Sequence, residues 1–202
     1  MFHRRPRRLI AALGRFARAE RGATAVEFGL ICAPLMLMLF GVLELAMVFL
    51  VSTTLETATQ NAARQIRTGQ FQQSGVSTPA AFRTMVCNGM SWLSSTCASD
   101  LYVQTQTFKT FGELAAAPPK PPPPPPPGPL GASQPMPLPS CWAPGQPGDI
   151  VLVHTYWRWK LFTPGLDLAL DNAGGGLRMI STATAFRNEP YDQIPPLGTQ
   201  CP

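Results

Sequence analysis

The sequence has little of the chemistry that enzymes use. It contains only two histidines, His3 and His154, and no Cys/His spacing typical of a zinc site. It also lacks the Gly-x-Ser-x-Gly elbow, the Walker loop and the Gly-x-Gly-x-x-Gly phosphate loop. Asp167 and Asp171, four residues apart, are more typical of a solvated helix face than of a carboxylate pair for acid–base catalysis. We therefore predict a protein that is not an enzyme and has no metal, cofactor or small-molecule substrate.

Positive charge is scarce outside the N-terminus. The formal net charge is +5, but residues 1–22 carry seven arginines against the single acid Glu20. The rest of the chain holds nine basic and ten acidic side chains, so its net charge is −1. The body of the protein has no basic surplus for DNA or RNA, and no nucleic-acid partner is predicted.

Charge is almost missing from one long stretch. Residues 28–51, FGLICAPLMLMLFGVLELAMVFLV, contain a single charged side chain, Glu44. At about 1.5 Å per residue, a helix of this length crosses the roughly 30 Å hydrocarbon core of a bilayer, and Pro34 is tolerated in such helices. The preceding arginines predict a cytoplasmic N-terminus and a periplasmic remainder. Glu44 either faces a partner subunit or marks the outer interface of a slightly shifted span.

Four of the five cysteines follow the apolar stretch, in the compartment that we infer to be oxidising. Cys32 lies within the apolar stretch and is expected to be a lone thiol. The short separation of Cys87 and Cys97 suits a disulfide between a helix end and the following loop, which leaves Cys141 to pair with Cys201. Four free thiols are the alternative.

Helical periodicity continues beyond the apolar stretch. The chain has no further proline until Pro79, and apolar or small residues recur every three or four positions. These residues are Leu55, Ala58, Ala62, Ile66 and Gly69. We predict one helix from about residue 23 to 70, in lipid over residues 23–51 and amphipathic beyond. Thr78 and Pro79 then provide the N-cap and first helical residue of a second helix.

Three later stretches have the alternating pattern of strands. They are residues 101–108 (LYVQTQTF), 149–161 (DIVLVHTYWRWKL) and 177–188 (LRMISTATAFRN). The order helix, helix, strand, strand, strand predicts an α+β fold in which a long N-terminal helix leads into a small domain with a three-stranded antiparallel sheet.

Aromatic residues are concentrated around the end of the second predicted strand. Tyr156, Trp157, Trp159 and Phe162 cluster at its end. We expect them to pack the sheet against the long helix, and a recognition or membrane-surface patch is the alternative. His154 is expected to be a partly buried strand residue.

Prolines are concentrated between the first two strands. Residues 118–147 hold 15 of the 23 prolines. Proline cannot donate to a sheet ladder, so we predict a solvated, disordered loop insertion with polyproline II character. It separates residues 52–117, with the external helices and the first strand, from residues 148–202, with the remaining strands. A ligand for proline-recognition domains is the alternative.

A possible processing site precedes the apolar stretch. A secretory signal is cut after its apolar region, but here the small pair Gly22-Ala23 stands before it, next to the arginines. A protease acting there would work at the cytoplasmic face and leave the helix on the mature protein. With Ala23 as the first mature residue, Glu27 is the fifth and Phe28 the sixth. This arrangement resembles the processing site of type IVb (Flp-type) prepilins.

The resemblance extends further. RGATAVEFGLICAPLMLMLFGVLELAMVF is similar to the N-terminal segment of TadE-like pseudopilins of the Tad pilus system. The stretch ISTATAFRNEPY (180–191) and the arrangement Cys87…Cys97…DLYVQTQTF resemble that family too. The resemblance covers most of residues 21–112 and 148–191, and the proline-rich insert and Cys201 depart from it.

The resemblance implies a pilin-like domain and cleavage after Gly22 by a prepilin peptidase. It also implies a minor subunit of a Tad/Flp pilus used for adhesion, anchored in the bacterial inner membrane. Its partners would be the peptidase, other pilin or pseudopilin subunits and the assembly-platform proteins. Glu27 would pair with the Ala23 amine of a neighbouring subunit, or else lie unpaired in the headgroup layer. An uncleaved, membrane-anchored periplasmic interaction module is the alternative function.

Overall fold

The first element of the fold is a long helix. The computed structural model describes residues 22–116, 142–163, 165 and 167–192. Helix α1 (Ala23–Arg67) confirms the predicted long N-terminal helix, and Pro34 lies within it. The helix ends before Gly69, which adopts a left-handed φ of 77° that places it outside the helical repeat. A single-turn helix, α2 (Gln70–Gln73), follows.

The second helix begins where the sequence predicted. Helix α3 spans Pro79–Gly89, and the Thr78 side chain accepts a hydrogen bond of 3.2 Å from the backbone N–H of Ala81. This bond satisfies one of the N–H groups that a helix start leaves without an intrahelical partner. A 3₁₀ turn (Ser91–Leu93) and helix α4 (Ser94–Asp100) lead on to the sheet.

The sheet confirms the predicted antiparallel arrangement. Its strands are β1 (Leu101–Phe108), β2 (Ile150–Lys160) and β3 (Leu177–Arg187), in the order β1-β2-β3. Helix α5 (Phe111–Ala116) follows β1, and helix α6 (Asp167–Leu170) precedes β3. The fold is therefore α+β, as predicted.

One face of the sheet packs against the helices. Trp157 of β2 is 2% exposed in the core, and the hydroxyls of Thr59 and Thr155 share a buried hydrogen bond of 2.8 Å that joins α1 to β2. The helices supply Leu55, Ala58, Ala62, Ile66, Phe82 and Val86 to this core. Tyr156 lies on the opposite face with Tyr102, with ring centroids 6.0 Å apart. Trp157 thus packs the sheet on the long helix as expected, whereas Tyr156 does not.

The end of the predicted proline-rich insert is packed against the domain. Within residues 142–147, Trp142 is 3% exposed and forms a parallel bridge with Thr105 on the free edge of β1. Its indole N–H donates to the Ser77 carbonyl over 3.1 Å, and its ring centroid is 5.5 Å from that of Phe82. The burial of a large aromatic ring outweighs the preference of the neighbouring prolines for solvent.

Two of the three cysteine predictions are confirmed by the described residues. Cys87 and Cys97 form the predicted disulfide, which ties α3 to α4. Cys32 is a free thiol, as expected. The predicted pair of Cys141 and Cys201 lies outside the described residues.

Candidate functional site

The residues of the predicted processing site lie at the start of α1. Gly22 is exposed directly before the helix, Ala23 is the first helical residue, and the Glu27 and Phe28 side chains are exposed. A Cβ added at Gly22 would meet no atom within 4 Å. The described part of the chain therefore places no steric demand on Gly22.

The N-terminal half of α1 presents apolar side chains to its surroundings. The large ones from Val26 to Leu43 are between 40% and 72% exposed. An 18-residue window in α1 has a mean hydropathy of 2.4, with 11% of it buried. Leaving apolar area in water costs about 25 cal/mol per Å², so this surface needs lipid or an apolar partner. The helix fits a single-pass membrane anchor.

The two glutamates of the apolar stretch differ in exposure. Glu27 is exposed, whereas Glu44 is completely buried. Because a carboxylate in the interior of a membrane is costly, Glu27 needs a position at the lipid boundary or a partner of opposite charge.

The C-terminal stretch named in the resemblance connects the segment after β3 to the rest of the domain. Asn188 is 2% exposed, and its side-chain amide donates to the Pro144 carbonyl over 3.1 Å and to the Gln146 carbonyl over 3.2 Å. It also donates to the Tyr191 hydroxyl. Burial raises the pKa of Tyr191, so the hydroxyl keeps its proton and can donate to Gly145. These hydrogen bonds therefore connect the segment after β3 to the segment that precedes β2.

Asp171, one of the two aspartates considered for catalysis, stabilises a turn. The Asp171 carboxylate accepts hydrogen bonds from the backbone N–H groups of Ala173, Gly174 and Gly176, which lowers its pKa. It closes the glycine turn before β3, whose three glycines all have positive φ. The Asp167 side chain lies outside the described residues. Among the described residues, no group of three or more His, Cys, Asp or Glu side chains could hold a metal ion.

His154 occupies the half-buried strand position that we expected. Its ring centroid is 5.4 Å from that of Tyr156, and burial lowers its pKa below the ordinary value of 6.5. A lowered pKa keeps the imidazole neutral in the folded protein.

An ion pair that the sequence did not reveal lies where α4 meets β2. Arg158 is 4% exposed, and its Nε and Nη2 donate to the same carboxylate oxygen of Asp100 over 3.1 and 2.8 Å. The Nη2 group also donates to the Ser99 carbonyl. In the sequence, Arg158 shares a strand face with His154, Tyr156 and Lys160, and this face becomes polar toward the end of the strand. This polarity is the only sequence feature that could have indicated a charged partner for Arg158.

The comparisons with known proteins single out the long helix. The model of the TadE-like protein family matches residues 22–64, from the glycine before α1 to its last turn. This match confirms the resemblance of the N-terminal segment. No curated protein and no solved structure matched the chain.

Proposed function

We propose that this chain is a minor, pilin-like, non-enzymatic subunit of a Tad/Flp pilus, processed by a prepilin peptidase after Gly22. The observation that carries the proposal is the family match, because it begins at Gly22 and continues through the apolar helix. The match supports a Tad pilus-associated role of the minor pilin kind. The exposed Gly22 and the open space around it suit recognition by a peptidase.

The proposed cut changes the charge at the membrane boundary. Hydrolysis of the Gly22–Ala23 peptide bond removes the arginine-rich leader and creates an ammonium group on Ala23. Glu27 lies four residues further along the helix, about 6 Å along its axis. An ammonium group of a neighbouring subunit would neutralise the Glu27 carboxylate and thereby set the axial stagger between packed helices. A carboxylate left without a positive partner in lipid would cost about 3 kcal/mol.

The proposed topology places the leader in the cytoplasm and the domain in the periplasm. The seven arginines before the span favour the first part. The disulfide of Cys87 and Cys97 agrees with the second, because such bonds persist in oxidising compartments. In this arrangement the partners are the bilayer, the peptidase, other pilin or pseudopilin subunits and the assembly platform, and the assembled pilus serves adhesion.

Intact-mass analysis of the mature protein tests the proposal. The full chain is produced in cells with and without a prepilin peptidase of the Tad system, and membranes and sheared filaments are analysed separately. We expect the chain to lose residues 1–22 only where the peptidase is present. An intact Met1 in cells that contain the peptidase would overturn the proposal in favour of an uncleaved, membrane-anchored interaction module.

A further inference from the structure

We infer that the end of the domain where β2 finishes is a membrane-docking surface that lies in the outer headgroup layer of the bilayer. This β2-end surface consists of Trp159, Lys160 and Phe162. The inference rests on α1 as a membrane anchor and does not require the protein to be processed or assembled into a pilus.

The contacts of β2 show how the strand runs relative to the part of α1 that belongs to the same compact unit, Leu45–Arg67. At the start of β2, Ile150 pairs with Arg187, two residues before Glu189 donates its backbone N–H to the Arg67 carbonyl. These contacts set the start of the strand beside the C-terminal end of α1.

Further along, β2 runs back along this part of α1. Thr155 meets Thr59 through their hydroxyls. At about 3.3 Å per residue, Lys160, the last residue of β2, lies roughly 17 Å beyond Thr155. About the same distance along α1, at roughly 1.5 Å per residue, leads from Thr59 to Val48. The strand therefore ends at about the level of Val48.

The side chains of the β2-end surface suit a bilayer interface. Phe162 is 53% exposed, Lys160 is exposed, and Trp159 is half-buried. Aromatic rings and lysines concentrate at the headgroup level, where the ring or the stem contacts apolar groups and the polar tip meets water and phosphate.

Apolar residues of α1 next to Val48 are exposed as well. Phe49 is 70% and Leu50 46% exposed within the same compact unit. Residues 23–44 are by themselves long enough, at about 33 Å, to cross the hydrocarbon core. The outer boundary of the bilayer then falls near Glu44 to Val48, which is the shifted span that the sequence left open.

The opposite end of the domain has a different character. There Arg67 and Glu189 form an exposed ion pair at 3.2 Å, and the exposed Lys109 pairs with the mostly buried Asp149 at 2.7 Å. Lys109 follows Phe108, the residue that pairs with Ile150 at the start of β2. Near the β2 end, by contrast, the ion pair of Arg158 with Asp100 is largely buried, and the exposed side chains are those of Lys160 and Phe162. This difference favours an orientation with the β2 end toward lipid.

The test uses a fluorescent label on the full, uncleaved chain. Cys32, Cys141 and Cys201 are replaced by serine, the Cys87–Cys97 disulfide is kept, and Phe162→Cys is labelled with an environment-sensitive NBD group. The matched control is Val76→Cys. Val76 is 58% exposed and lies nine residues after the end of α1 at Arg67, away from the β2 end. Both proteins are reconstituted in vesicles of phosphatidylethanolamine and phosphatidylglycerol.

We expect the label at position 162 to emit at shorter wavelength than the label at position 76. It should also be at least about twofold less quenched by aqueous iodide, and more quenched by a lipid with a nitroxide near the headgroup. Equal behaviour of the two labels would overturn the inference. Protection of position 162 from both quenchers would also overturn it, and would indicate a covering protein surface such as a second copy.

A second labelling position is used if the first variant misfolds. Folding is checked by circular dichroism and by the mass of the intact disulfide. If Phe162→Cys fails these checks, the label is placed at Lys160→Cys, an exposed position on the same surface, with the same expected result and the same overturning ones. The labelling experiment contains no peptidase, so its result does not depend on processing. A failure of the docking inference can therefore be told apart from a failure of the proposed function.

Discussion

The ring of Tyr191 lies directly against the backbone of Gly69. A Cβ built on Gly69 would be 2.5 Å from the Cγ atom of that ring. The contact joins the residue that ends α1 to the segment that follows β3, next to the backbone hydrogen bond from Glu189 to Arg67. The end of the helix and the end of the sheet are therefore held together at one point.

The first prediction concerns this contact. Gly69→Ala should lower the free energy of unfolding more than Gly75→Ala, by at least about 1 kcal/mol. Both glycines have φ near 75°, so the strain of a left-handed alanine, about 1–2 kcal/mol, is common to the two variants. Only Gly69 has a ring in the way, because nothing lies within 4 Å of a Cβ at Gly75. Denaturant unfolding in detergent gives the comparison, and equal losses would contradict the prediction.

The second prediction separates processing from assembly. Gly22→Ala should block cleavage without affecting the fold, since a methyl group there meets nothing. Glu27→Gln should leave cleavage intact and reduce pilus assembly, because the neutral amide cannot pair with an ammonium group. Intact mass reports cleavage, and the yield of sheared filaments reports assembly. Full pilus formation by both variants would refute the prediction.

The third prediction concerns the buried ion pair. Asp100→Asn should destabilise the protein by about 3 kcal/mol, because it leaves the guanidinium of Arg158 buried without its carboxylate. The control is Glu189→Gln, which breaks the exposed pair with Arg67 and should cost less than about 1 kcal/mol. The urea midpoints of the two variants check the order, and similar midpoints would show that Arg158 gains little from Asp100.

The fourth prediction concerns pH. Burial lowers the pKa of His154 below 6.5, so on acidification the unfolded chain takes up a proton at this residue before the folded protein does. Stability should therefore decrease as the pH falls below about 6.5, and the loss should be complete once the pH is below the pKa of the folded state. Comparison of unfolding at pH 7.5 and pH 5.5 measures the slope.

The control for the pH effect is His154→Gln. This variant cannot titrate near neutral pH, so the difference in stability between the two pH values should become smaller than in the parent protein. An unchanged difference would assign the slope to other groups.

Local pattern in the sequence was enough for most of the fold. The alternation in residues 150–160 correctly predicted a strand, and Thr78 with Pro79 correctly marked the start of α3. These features depend on neighbours along the chain. The end of α1 was predicted at about residue 70 and lies at Arg67, because the left-handed Gly69 interrupts a face that still looks periodic.

The remaining features depend on contacts between distant residues. The pairing of Arg158 with Asp100 and the burial of Trp142 against Phe82 bring together residues far apart in the chain. Neither has a local pattern, and the prolines around Trp142 indicated a solvated loop. The processing site stays a prediction from the sequence, and the structure adds only that a Cβ at Gly22 would meet no atom within 4 Å.

The bridge of Trp142 to β1 gives the two described segments on either side of residues 117–141 a common support. Helix α5 follows β1 directly, and Trp142 bridges to Thr105 of the same strand. The pairing of β1 with β2 involves neither Ala116 nor Trp142. We therefore expect a peptide inserted between Ala116 and Trp142 to leave the pairing of the sheet unchanged.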